Sequence, residues 1–84
     1  MQANNPVKFQ VFSLNVRGIR DQTKRRSIFS FLEDQNANIY FLQEPYSEPS
    51  DENIWKKEWD GQLSFSHGTK HSKGVCILIN PTLQ

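Results

Sequence analysis

The chain has 84 residues, a formal net charge of +1 at pH 7 and one cysteine. A chain of this length forms at most one small domain, and a single cysteine excludes both an internal disulfide and a CxxC zinc cluster. The near-neutral charge gives no global indication of nucleic-acid binding, so only local clusters of charge can indicate it.

Residues 1–7 are predicted to form a flexible lead-in, because they are mostly polar and include a proline. They lack the basic start and apolar core of a secretory signal. No apolar stretch reaches the about 20 residues that a membrane-spanning helix needs. We therefore expect an intracellular protein, nuclear or cytoplasmic, that is not secreted and has no membrane partner.

Three segments predict a strand, a helix and a second strand, over Lys8–Leu14, Thr23–Asn36 and Asn38–Leu42. A connection of this length between two strands is typical of a parallel crossover unit. Both strands would then end at the same edge of the sheet, where Asn15 and Glu44 follow them. Ligands of open α/β sheets bind at the carboxyl ends of the strands. An amide and a carboxylate far apart in sequence are thus expected to meet at a site.

The helix has apolar residues at helical spacing on a narrow face. This predicted buried stripe consists of Ile28, Phe31, Leu32 and Gln35, with Phe29 at its margin. Asp21 or Thr23 is suited to cap its N-terminus. Asn36 and Asn38 are suited to end it, since asparagine tolerates the left-handed conformation.

The second half of the chain predicts a short helix and an antiparallel hairpin. The helix covers Asn53–Trp59, and the hairpin strands cover Gln62–Ser66 and Val75–Ile79. The short helix is expected to be capped by Asp51 and to turn Ile54, Trp55 and Trp59 inward. Cys76 lies in an apolar strand and is interpreted as a small buried residue. The prediction is an α/β fold with a mixed sheet of about four strands.

Lys24, Arg25 and Arg26 crowd the first turn of the long helix, where the helix dipole disfavours positive charge. That helix begins at the edge of the sheet that carries Asn15 and Glu44. Cations at this place suit a ligand that bears phosphates. A solvated helix start explains them equally well, so both interpretations stay open.

Glu44 has the chemistry of a ligand for Mg²⁺, which takes one or two protein carboxylates and completes its shell with water and phosphate. Asn15 could hydrogen-bond a phosphate or hold a neighbouring ligand. Each residue alone is explained as well by an ordinary strand end or turn. His67 and His71 lie four residues apart in a Gly- and Ser-rich loop, which does not favour a zinc pair.

Several short motifs occur in a specific order along the chain. They are Ser13–Gly18, Lys24–Arg26, Phe41–Glu44, Trp59–Gly61, Phe65–Gly68 and Ser72–Ile79. From Phe9 to Pro81 the chain resembles the start of the endonuclease/exonuclease/phosphatase superfamily. The closer resemblance is to the apurinic-type endonuclease domain of LINE-type (non-LTR) retrotransposons.

The resemblance implies a four-layer α/β sandwich that cleaves DNA phosphodiester bonds with Mg²⁺, or Mn²⁺ in its place. It implies that Glu44 is a metal ligand and that Asn15 is a catalytic asparagine at the metal and phosphate. Arg17 departs from the repair-enzyme branch and is given no metal role. Arg17 joins Lys24, Arg25 and Arg26 as a weaker candidate for contacts to the nucleic acid.

The resemblance implies that residues 8–84 are the N-terminal portion of that domain, which is incomplete here. The family's later catalytic residues, including its histidine general base, have no counterpart here. The chain is therefore expected to need the C-terminal half of the domain as a partner and to be inactive alone. Two alternatives stay open: a superfamily phosphatase acting on lipid or nucleotide phosphates, and a non-catalytic remnant or interaction module.

Overall fold

The structure is a computed structural model and describes residues 9–69 and 73–83. The described part contains four strands, two α-helices and two short 3-10 helices. In chain order they are β1 (Val11–Asn15), α1 (Gln22–Gln35), β2 (Ile39–Gln43), a 3-10 helix (Pro49–Asp51), α2 (Glu52–Glu58), β3 (Leu63–Ser66), β4 (Val75–Ile79) and a second 3-10 helix (Pro81–Leu83). The predicted lead-in over residues 1–7, the predicted strand start at Lys8, and His71 lie outside the described residues.

The four strands form one mixed sheet in the order β1-β2-β4-β3. β1 and β2 are parallel, with Val11 opposite Ile39 and Asn15 opposite Gln43. β4 runs antiparallel to both of its neighbours, β2 and β3. The predicted α/β class, the parallel strand–helix–strand unit and the antiparallel hairpin are therefore confirmed.

The ends of α1 follow from its capping residues. The Asp21 carboxylate accepts a hydrogen bond from the Lys24 backbone N–H at 2.8 Å, which satisfies one of the free N–H groups of the first turn. Asn36 ends the helix in the left-handed conformation, with φ of +55°. The predicted bounds differ from the observed ones by one residue at each end.

The buried face of α1 agrees with the predicted one at Leu32 and Ile28 and differs from it at other positions. Phe29, placed at the margin by the sequence, lies in the core and packs edge-on against Trp59 at a ring distance of 5.7 Å. Phe31 is 46% exposed and touches Phe12 with its edge. The prediction for Phe31 and for Gln35, which is also exposed, was wrong. The buried face of α1 is the one that contacts Trp59. Because Trp59 is distant in sequence, the spacing of apolar residues within the helix does not predict this contact.

The short helix α2 brings two tryptophans against the sheet, as predicted. Trp55 and Trp59 are almost fully buried, and the Trp59 indole N–H donates to the Ile79 carbonyl at 2.9 Å. Ile54 is 54% exposed, so its predicted inward orientation was wrong. Neighbouring residues of a helix point about 100° apart, and the larger Trp55 takes the inward direction.

The core lies on the face of the sheet that both helices cover. Its fully buried side chains include Tyr40, Leu42, Leu78 and Trp55. Cys76 is buried among them, which confirms its predicted place. The opposite face carries apolar side chains that are only partly covered, namely Val11, Ile39, Phe41, Ile77 and Ile79. The described part thus forms two layers, and the four-layer sandwich stays a prediction. Within the described residues, neither helix is long and apolar enough to cross a bilayer.

Candidate active site

Asn15 and Glu44 meet at one rim of the sheet. Asn15 is the last residue of β1 and lies opposite Gln43, the last residue of β2. Glu44 follows immediately, and the Asn15 side-chain amide donates a hydrogen bond to the Glu44 carboxylate over 3.0 Å, from Nδ2 to Oε2. The parallel register brings them together, because both strands end at the same edge. The predicted convergence of these two side chains is therefore confirmed as geometry.

The orientation of the Asn15 amide is set by two contacts. Its Oδ1 accepts the Arg17 backbone N–H at 3.1 Å, so its NH₂ group faces Glu44. The oxygen is thus engaged in a local turn, and the NH₂ group is the hydrogen-bond donor to the carboxylate. This geometry suits a residue that orients Glu44 better than one that itself coordinates a metal.

Backbone hydrogen bonds hold Glu44 from both sides. The Glu44 N–H donates to the Gly74 carbonyl at 3.1 Å, and the Glu44 carbonyl accepts the Gly18 N–H at 2.7 Å. Glu44 has φ of +59° although it precedes Pro45, where extended backbone is the rule. A left-handed conformation at a non-glycine residue costs about 1–3 kcal/mol and persists only where its surroundings impose it.

Tyr46 continues the loop that Glu44 begins, and we name residues 44–48 the Glu44 loop. Tyr46 also has φ of +59°, and its ring lies so close to Gly18 that a Cβ there would meet the ring at 2.8 Å. The Lys73 ammonium lies 5.1 Å from the ring centre, within the range of a cation–π contact. The sequence did not single out Tyr46 as a site residue, because these contacts depend on the fold.

The four cations considered from the sequence divide into three exposed residues and one buried one. Arg17 and Lys24 are exposed, and the Lys24 ammonium donates to the Arg17 carbonyl at 3.3 Å, two residues from Asn15. Arg26 is exposed on the same turn of α1, and its charge contributes in a small part to the lowered pKa of Glu58. Arg17 and Lys24 are thus in contact with each other within two residues of Asn15.

Arg25 is buried, with 3% of its surface exposed. Its guanidinium donates to both oxygens of Glu58, at 2.5 and 2.9 Å, and to the Ile19 and Arg20 carbonyls. It also lies over the Trp55 ring at 5.2 Å. The expectation of a nucleic-acid contact is corrected for Arg25, because its donors are used inside the fold.

The hydrogen bonds from Arg25 hold the pKa of Glu58 below its ordinary value, against a smaller opposing effect of burial. Burial raises the pKa of the Cys76 thiol to about 12, which fits an unreactive core residue. Neither group is a candidate for chemistry at the rim of the sheet.

His67 makes two contacts that its loop sequence did not indicate. Its Nδ1 lies 2.7 Å from the Ser47 hydroxyl, and its Nε2 lies 2.6 Å from the Glu52 carboxylate. Both partners are 15 or more residues away in sequence, where no spacing rule applies. A shallow pocket of about 230 Å³ opens beside this bridge, lined by Tyr46, Ser47, Glu48, Gly68, Thr69 and Lys73.

Residues 9–69 and 73–83 contain no group of three or more His, Cys, Asp or Glu side chains arranged to hold a metal. A transition-metal site of that kind is therefore absent from the described part. One carboxylate with an amide donor fixed beside it is the kind of partial oxygen site that Mg²⁺ accepts, because this ion keeps several waters and binds substrate phosphates. The donor chemistry at Glu44 thus fits Mg²⁺ or Mn²⁺.

No family model matches the chain. Over 74 residues the chain is 34% identical to the transposon TX1 uncharacterized 149 kDa protein of Xenopus laevis. The aligned region is 88% of this chain and 6% of that protein, so the chain spans a small part of the length of this relative. The chain is thus similar to one part of a transposon protein, which supports the transposon link expected from the sequence motifs.

Proposed function

We propose that this chain is the N-terminal part of a metal-dependent DNA endonuclease domain of the LINE retrotransposon type. The observation that carries the proposal is the hydrogen bond between Asn15 and Glu44 at the common rim of β1 and β2. The similarity to a transposon protein supports the same setting.

Glu44 is the proposed ligand for Mg²⁺, or for Mn²⁺ in its place. When bound, the ion supplies Lewis-acid stabilisation of the charge that develops on the scissile phosphate. Asn15 orients the Glu44 carboxylate through its NH₂ group and so fixes the direction in which the free lone pairs point. The strained backbone of Glu44 holds that carboxylate at the surface of the rim.

Arg17 and Lys24 are the proposed contacts to the phosphate backbone of DNA. Both are exposed. Arg17 lies in the loop between β1 and α1, Lys24 lies in the first turn of α1, and the Lys24 ammonium donates to the Arg17 carbonyl. Arg26 is a weaker candidate because its charge acts toward Glu58. Such contacts position a nucleic acid without reading its sequence.

The resemblance assigns the remaining catalytic groups, including the general base, to residues that these 84 do not contain. We therefore propose that the chain alone binds a divalent cation weakly and does not cleave DNA. Activity would need those groups from the C-terminal half of the domain.

The metal role of Glu44 is tested by titrating the chain with Mn²⁺ and following paramagnetic broadening of its backbone NMR signals. We expect the amides of Gly18, Glu44 and Gly74 to broaden first. Glu44→Gln is expected to weaken the affinity at least about tenfold, since changes beside metal ligands already cost 10–100-fold.

Glu33→Gln is the matched control, because Glu33 is an exposed carboxylate near the other end of α1, beside Asn36 and Asn80 at the opposite rim. It should bind Mn²⁺ as the unchanged chain does. Equal affinity in the Glu44→Gln chain would remove the metal role and favour the non-catalytic interaction module.

A further inference from the structure

His67 joins three separate parts of the molecule. It follows β3, and its ring lies between Ser47, in the Glu44 loop, and Glu52, the first residue of α2. The ring also stacks on Phe65, with 5.2 Å between ring centres and 25° between planes. The Ser47 side of this bridge is closed to solvent, because Ser47 is only 5% exposed.

The protons of the bridge can be assigned from its chemistry. The hydrogen bond from His67 holds the pKa of Glu52 below its ordinary value, so Glu52 is an ionised acceptor. His67 Nε2 must therefore carry the proton donated to Glu52. In the neutral ring Nδ1 is then an acceptor, and the Ser47 hydroxyl donates to it. Both ring nitrogens are thus engaged, which fixes the orientation of the imidazole.

The conformation of the Glu44 loop must be stabilised by contacts, because Glu44 and Tyr46 both have the left-handed backbone that non-glycine residues disfavour. At one side the Tyr46 N–H donates to the Lys73 carbonyl at a long 3.3 Å. At the far end the exposed Arg20 side chain reaches Glu48 at 3.4 Å. Between these two contacts, the buried hydrogen bond from Ser47 to His67 is short, at 2.7 Å, like the one from the Gly18 N–H to the Glu44 carbonyl where the loop begins.

We propose that His67 is a positioning residue for the Glu44 site. It ties Ser47 to the start of α2 and thereby keeps the Glu44 loop in the conformation that presents the carboxylate at the rim. This inference rests on the proposed function, because it takes Glu44 to be a metal ligand. The effect of His67 on the Glu44 loop can nevertheless be measured without a metal.

The test replaces His67 by residues that keep one contact or neither. Asparagine places a polar atom near the position of Nδ1 and can still meet Ser47, whereas glutamine reaches toward Glu52. His67→Ala removes both contacts. Hydrogen exchange is followed by NMR at the amides of Glu44 and Tyr46, whose N–H groups donate to the Gly74 and Lys73 carbonyls.

In the His67→Ala chain we expect the Glu44 and Tyr46 amides to exchange about tenfold faster, the effect of losing one good hydrogen bond. His67→Asn should recover most of that protection and His67→Gln less. Ser64→Ala, at an exposed position of β3, is the control and should change nothing at these amides. Amides of β2 and β4 report whether the fold is intact.

Ser47→Ala removes the hydrogen bond between Ser47 and His67 by changing the partner of His67. This variant replaces His67→Ala in the test if the His67→Ala chain does not fold. Faster exchange confined to the Glu44 loop supports the proposal, whether or not the chain binds Mn²⁺. Unchanged exchange at Glu44 and Tyr46 in both variants overturns it, even if Mn²⁺ binding at Glu44 is found.

Discussion

A cation in the first turn of a helix faces the positive end of the helix dipole, and Arg25 occupies such a position in α1. The structure explains how it is tolerated. Its donors meet the Glu58 carboxylate and the Ile19 and Arg20 carbonyls, so the charge is neutralised inside the fold. From the sequence, Arg25 was grouped with Lys24 and Arg26 because the three are adjacent. Its partner Glu58 lies 33 residues away, so the neighbouring residues do not show that Arg25 is the buried one.

The ion pair between Arg25 and Glu58 makes stability depend on pH in a definite direction. Because the pKa of Glu58 is lowered in the folded chain, its stabilisation is present above the ordinary glutamate pKa and is lost as the pH falls through the folded value. Glu58→Gln should lower the free energy of unfolding at neutral pH by about 1–3 kcal/mol, through a weaker hydrogen bond to Arg25.

The difference between the unchanged chain and the Glu58→Gln chain should shrink as the solution is acidified, because the protonated carboxyl is then as neutral as the amide. Urea unfolding at neutral and acid pH measures this difference, with Glu33→Gln, at an exposed position of α1, as the control. A difference that stays constant with pH would rule out this account of the pair.

At the scale of elements, the strand ends and the inward tryptophans of α2 were predictable, and the full buried face of α1 was not. The order strand, helix, strand follows from local patterns and from the length of the connection, and it is enough to bring Asn15 and Glu44 to one rim. The face of α1 depends on Trp59, which reaches the helix only through the fold. The left-handed backbone at Glu44 was also not predictable from the sequence, because a residue before proline favours extended backbone.

Two phenylalanines of α1 give a matched comparison for this difference. Phe29→Ala should lower the free energy of unfolding by about 3–5 kcal/mol, since it leaves a cavity beside Trp59. Phe31→Ala should cost much less, because Phe31 is 46% exposed and loses mainly its edge contact with Phe12. Urea unfolding compares the two, and equal losses would contradict the difference in burial between Phe29 and Phe31.

At the scale of the whole molecule, the chain combines a closed core on one face of the sheet with a partly open apolar face on the other. Val11, at 53% exposure, belongs to that open face. The net charge of +1 gives little general attraction to DNA, so the exposed pair Arg17 and Lys24 would have to provide it locally. The sequence could predict the class of fold and the rim, but not which face of the sheet would be covered.

The central claim is that the parallel strands make Asn15 and Glu44 one functional unit. The most direct measurement is the Mn²⁺ affinity of four chains: unchanged, Asn15→Ala, Glu44→Gln and the double variant. If Asn15 acts through Glu44, the double variant should bind no more weakly than Glu44→Gln alone, with a coupling of about 0.5–3 kcal/mol. Losses that simply add would contradict the claim, because they would mean that the amide and the carboxylate act independently.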